Sequence, residues 1–106
     1  MQFVVLGKYS MTGLAGLVKN PNEDRKSVIN DMMSKAGATL DHFLLTRGEY
    51  DIVAIGKAPE FETIAAIKML IMSSGALSEI TILEVSDFNK IAAKASEMTG
   101  AYKAPG

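Results

Sequence analysis

The chain has 106 residues, 48 per cent of them apolar and 22 per cent charged, and its formal net charge is −1. That is the length of one globular domain with a real core, and its Lys and Arg are scattered rather than blocked together, which disfavours nucleic acid and anionic membrane as partners. Cysteine is absent and histidine occurs once, so disulfides, thiolate metal sites and cysteine nucleophiles are excluded, the donor set for zinc is poor, and neither a metal nor a cofactor is implied.

Gln2 to Tyr9 reads as a first strand, apolar on both faces through Phe3, Val4, Val5 and Leu6. It lacks the basic region and small-residue cleavage site of a secretion signal. No window approaches the roughly eighteen apolar residues of a membrane span, and a cytoplasmic location is the default expectation. Ser10 to Lys19 holds Gly13 and Gly16 and is expected to form an irregular connection or a single helical turn. A Gly-x-x-Gly spacing can cradle a phosphate, but no Lys-Ser or Lys-Thr follows it here.

Asn20-Pro21-Asn22-Glu23 predicts a helix start, with Asn as cap, Pro at the first helical position and Glu three residues after the cap. The helix is expected to run to Ala36 with Val28, Ile29, Met32, Met33 and Ala36 on its apolar stripe, and Gly37 closes it in a left-handed cap. Thr39 to Thr46 is the second strand. Strict alternation sends Leu40, His42, Leu44 and Thr46 to one face and Asp41, Phe43, Leu45 and Arg47 to the other.

Arg47-Gly48-Glu49 turns the chain into a third strand, Tyr50 to Lys57. Tyr50, Ile52, Ala54 and Gly56 share one face; Asp51, Val53, Ile55 and Lys57 share the other. Neither face is fit for water along its middle, as in a central strand covered on both sides. Pro59 opens a helix from Glu60 to Ser74, ended by Gly75. Ile64, Ile67, Leu70 and Ile71 make its main stripe, with Met69 and Met72 extending the apolar surface around it. Ser78 to Val85 is the fourth strand. Ser86-Asp87 then caps a third helix, Phe88 to Met98, with Phe88, Ile91, Ala92, Ala95 and Met98 on one stripe. The tail from 99 to 106 has too little apolar content to pack by itself and is expected to be flexible or bound to a partner.

Strand, helix, strand, strand, helix, strand is the ferredoxin-like βαββαβ order of an α+β sandwich, here with an extra C-terminal helix and spanning residues 1 to 98. Right-handed crossovers put the first and third strands at the centre and both connecting helices on one face. The bare face needs a cover, and a second copy of the same sheet is the simplest one. The expected partner is therefore the chain itself, as a homodimer or a higher oligomer.

The run Gly48-Glu49-Tyr50-Asp51-Ile52-Val53-Ala54-Ile55, ending in Ala58-Pro59, resembles the signature of the GYD domain family, small bacterial and archaeal proteins named after a Gly-Tyr-Asp motif. Val5 to Tyr9, Phe43 to Thr46 and Glu84 to Lys90 extend the likeness over most of the chain, and Arg25 is a candidate match to a family arginine. Lys57 departs from the pattern, since the family tends to be acidic there. The resemblance implies a dimeric α/β barrel and a function largely unassigned.

Four residues are the candidates for a site. His42 is the sole side chain of its type and the obvious choice for a general base; on strict alternation it sits near Leu40, Leu44 and Tyr50 or Ala54. Asp51 can orient a ligand amine or a base, or else accept the free amides of Gly48 or Glu49. Tyr9 and Tyr50, at the ends of the two central strands, can line a pocket mouth with their hydroxyls. Arg47, Lys57 and Lys8 are cations within reach of an anionic ligand, or solvated strand ends. The first functional reading is a small oligomeric binding or accessory protein with a pocket for an apolar or aromatic molecule, between sheet and helices or between subunits. The second, resting on fold analogy, is a cofactor-free enzyme of monooxygenase or isomerase type.

Overall fold

In a computed structural model of residues 1–106, the chain runs β1 (Gln2–Tyr9), α1 (Met11–Lys19), α2 (Arg25–Lys35), β2 (Thr39–Leu45), β3 (Ile52–Lys57), α3 (Phe61–Ser73), β4 (Leu77–Glu84) and α4 (Phe88–Glu97). The four strands form one antiparallel sheet in the order β2-β3-β1-β4. This is the ferredoxin-like α+β arrangement, with the two doubly apolar strands, β1 and β3, side by side in the middle. The sheet of the single chain is open, not a closed barrel. No helix is long and apolar enough to cross a membrane.

One face of the sheet carries the core. Phe3, Val5, Ile52, Ala54, Ile80 and Ile82 point toward α2 and α3, which supply Ile29 and Met33, and Ile64, Ile67 and Ile71. Phe3, 1 % exposed, lies opposite Gly56. A Cβ on Gly56 would run into the carbonyl oxygen of Thr39 and press on the Phe3 ring, so the glycine is what lets strand and ring approach this closely. Gly37 and Gly75 follow α2 and α3 with φ of 75° and 76°, the left-handed conformation that ends a helix without a Cβ penalty.

Three local readings are corrected. Ser10 to Lys19 is not an irregular connection: Ser10 caps a nine-residue helix, its side chain accepting from the Gly13 amide at 3.0 Å. Gly13 is small because α1 crosses the Ala76 carbonyl, which a Cβ there would strike. The second helix begins later than Asn20 predicts, because Asn20 donates its amide to Gly16 at the end of α1 and is spent there. Asp24 is the cap instead, accepting from Ser27 N at 3.1 Å.

The third correction changes a face. Leu40 pairs with Gly56 and His42 with Ile55, so Asp41 is an extra residue that bulges out of β2. With one residue inserted, Leu40 and Phe43 both turn toward the helices, where both pack against the core. His42 and Leu44 go to the opposite face, across from Ile55 and Val53. Strict alternation would have wasted one of the two apolar side chains.

That opposite face is covered by no segment of the chain. Directly paired residues share a face, so the register stacks His42, Ile55, Val4 and Leu83 in one row and Leu44, Val53, Leu6 and Thr81 in the next. Lys8 and Glu79, 3.4 Å apart, close one end, and Lys57 and Asp41, 4.0 Å apart, lie toward the other. The chain's second unsatisfied surface is α4. Asp87 caps it through Lys90 N, yet every residue from Leu83 to Gly106 is exposed, Phe88 at 79 % and Met98 at 64 %. The radius of gyration is accordingly 17.6 Å, against about 13 Å for a compact domain of about 100 residues.

Candidate functional site

The helical layer does not close over the Tyr9 end of the sheet. A cleft of about 310 Å³ remains there, within the range of small-molecule sites. Val28, Ile29 and Met32 of α2 form one wall, Leu70 and Ile71 of α3 the other, and Phe43, Ile52 and Leu77 of the sheet the floor. The polar side chains at its edge are Tyr9, Arg25, Ser73 and Ser74. Both serine hydroxyls are already committed, donating to Leu70 O at 2.7 Å and Ile71 O at 2.6 Å. Tyr9 and Arg25 are thus the side chains with donor capacity left for a ligand.

Each is fixed by a short-range device. Tyr9 ends β1 where the pairing with β4 slips, between Lys8 and Tyr9. Its amide has no strand partner on the other side, since β3 begins only at Ile52, and donates instead to Asp51 Oδ2 at 2.9 Å. Asp51 is anchored in turn by its own amide, which donates to Gly7 O at 2.9 Å, and by its carbonyl, which accepts from Thr46 N at 2.8 Å. Arg25 is the first residue of α2, and its Nη1 meets Glu23 Oε1 at 2.6 Å. Glu23, just outside the helix, holds the guanidinium against the cleft mouth.

Electrostatics at this edge act on the Tyr9 phenol. Burial lifts its pKa above the ordinary tyrosine value near 10, the adjacent Arg25 guanidinium pulls the other way, and the carboxylates of Asp51 and Glu23 add to the rise. At neutral pH the phenol is a protonated hydrogen-bond donor beside a permanent cation. Tyr9 and Arg25 also border a second hollow of about 340 Å³ with Thr12, Gly13, Gly16 and Glu23. They stand at the boundary between a greasy cleft and a polar vestibule.

The four candidate residues of the sequence do not converge. Tyr9 lies at the cleft, with Asp51 behind it in a positioning role: its carboxylate takes the Tyr9 amide rather than the amides of Gly48 or Glu49. His42 is exposed on the open face of the sheet, away from Leu40 and Ala54, because of the Asp41 bulge. Tyr50 precedes β3, with Lys8 Nζ 5.2 Å from its ring centroid, a cation–π arrangement. Arg47 is exposed in the turn, and Lys8 and Lys57 are engaged with Glu79 and Asp41. No three His, Asp or Glu side chains gather as a metal site. Arg25 entered the sequence reading only as a family match, with no role. Its signal, an Arg just inside a helix with Glu two residues before it, is too common to single out.

Comparison with the curated proteins finds no match. A family model, the GYD domain, matches residues 3–95, which include the four strands but for Gln2, the Tyr9–Asp51 bond and both walls of the cleft. With that match spanning nearly its whole length, the chain belongs to the GYD domain family.

Proposed function

We propose that this protein is a homodimeric small-molecule-binding protein whose ligand occupies the cleft between α2, α3 and the sheet. The observation that carries the reading is the cleft itself: an apolar hollow with two polar side chains, Tyr9 and Arg25, that keep donor capacity at one edge and are fixed from behind. Such a combination of apolar lining and a few placed polar groups is what small-molecule recognition requires. Binding is favoured over cofactor-free catalysis because the titratable groups lining the cleft are Tyr9 and Arg25, and the raised pKa of the phenol makes it a poor base near neutrality. The test is a titration with benzyl alcohol followed by methyl spectra. Shifts confined to Val28, Ile29, Ile52 and Ile71 support the reading; an absence of shifts there at millimolar probe, or shifts at Val4, Leu6, Val53 and Ile55 instead, would refute it.

The dimer reading rests on the open face. Val4, Leu6, Leu44, Val53, Ile55 and Leu83 are aliphatic side chains in one block. Two such faces packed together, as in a dimeric α/β barrel, and hiding about 800 Å² each with a little over half of it apolar, gain on the order of 20 kcal/mol gross. Association costs about 4 to 15 kcal/mol, so the balance favours the pair. Light scattering at micromolar concentration is expected to read twice the subunit mass, and Val53→Glu to read the subunit mass alone. A wild-type monomer would overturn the dimer without touching the cleft.

A further inference from the structure

We propose that the ligand of the cleft is a monocarboxylate on a compact apolar body, its carboxylate meeting the Arg25 guanidinium and the Tyr9 hydroxyl. This deepens the binding reading above and rests on it. A guanidinium presents five N–H donors in a planar fork that matches a carboxylate edge. In Arg25 the ion pair to Glu23 uses Nη1 and the guanidinium also meets the Tyr9 oxygen, which leaves the remaining N–H groups of the fork to a ligand, and the Tyr9 phenol adds its one O–H.

Charge decides between anions. Glu23 and Asp51 stand close enough to Tyr9 to raise its pKa, and one cation serves the whole group. Two carboxylates and one guanidinium already sum to a single negative charge, so every charge a ligand adds is opposed, and a phosphate dianion is opposed about twice as strongly as a monoanion held by the same fork. A neutral ligand would leave the guanidinium fork half used at an apolar mouth.

Size and polarity agree with this. The cleft volume of about 310 Å³ is roughly that of ten liquid waters, room for one aromatic ring or a branched aliphatic chain. The body would lie on Ile29, Met32, Phe43 and Ile71, away from the polar hollow lined by Thr12 and Gly13. The head group would sit where the two cavities meet.

Phenylacetate and its neutral near-isostere phenylacetamide test the proposal, titrated into the full chain and followed by the methyl shifts of Ile29, Ile52 and Ile71. Phenylacetate is expected to bind about tenfold or more tightly than the amide, the ratio for a charge-assisted pair of hydrogen bonds. Arg25→Gln should erase that preference by weakening phenylacetate far more than the amide, whose neutral carbonyl loses the weaker contact. Glu23→Gln should tighten phenylacetate severalfold, since it removes the competing carboxylate. Tyr9→Phe provides a second variant with the fold-critical backbone bond to Asp51 intact, and should weaken phenylacetate severalfold. Equal binding of the two probes, or a preference unaffected by Arg25→Gln, overturns the monocarboxylate and leaves the cleft as a binding site. Benzyl alcohol and both of these probes failing to shift the cleft methyls overturns the two together. Tighter binding of phenyl phosphate than of phenylacetate overturns the charge argument and with it the monocarboxylate, and leaves the cleft as a binding site.

Discussion

Replacing Asp51 with Ala tests whether the turn that names the family is a support for Tyr9. The substitution removes the one acceptor of the Tyr9 amide, a bond of 2.9 Å at a half-buried position, while Asp51's own backbone bonds to Gly7 and Thr46 remain. A hydrogen bond to a charged acceptor contributes about 1.5 to 3 kcal/mol, and the partial exposure of Asp51 puts this one toward the lower end, about 2 kcal/mol. Unfolding entropy near 2.1 cal/mol/K per residue over 106 residues is roughly 220 cal/mol/K, so the melting midpoint should fall by about 9 °C. Asp51→Asn keeps a neutral acceptor and should lose about half of that. Circular dichroism melts at one fixed protein concentration read both, since association makes the midpoint concentration-dependent. An Asp51→Ala midpoint within about 2 °C of the wild type would refute the positioning role.

Gly56→Ala should cost about 3 kcal/mol in denaturant unfolding, because the added methyl meets the Thr39 carbonyl, a backbone atom that cannot turn aside; a cost under about 1 kcal/mol would show that β2 yields freely. For Tyr9, the folded chain holds a proton that the unfolded chain releases near pH 10, so wild-type stability should decline as pH rises through 10 and be lost through the higher folded pKa. Tyr9→Phe should flatten that decline, and absorbance difference titration between the two proteins should place the Tyr9 phenol above its ordinary value. Parallel curves for the two proteins would contradict the buried phenol. His42→Ala should leave phenylacetate affinity unchanged, since His42 stands on the far face of the sheet; a loss of affinity in the correctly folded variant would move the site off the cleft.

Much of the architecture was legible because its causes are local. The doubly apolar runs Phe3–Leu6 and Ile52–Ile55 marked the central strands, and the register confirms them as neighbours. Gly37, Gly75 and Asp87 punctuated helices through conformations and capping bonds that depend on a few adjacent residues. The helix boundaries that failed did so through competition: Asn20 resembles a cap, but its amide already closes α1, and nothing within four residues reveals which helix claims it.

The amino-acid order alone determined the sheet, its two central strands and the lack of an internal cover for one face, since periodicity and caps act between near neighbours. The tertiary structure decided the Asp41 bulge, which turns His42 outward so that Leu40 and Phe43 can both reach the core. It also decided the cleft, where the end of β1, the start of α2 and the last turns of α3 meet, and the bond from Tyr9 to a carboxylate forty-two positions away. Those features arise from packing and pairing between distant segments, whose free energies depend on three-dimensional fit and leave no period in the sequence to read.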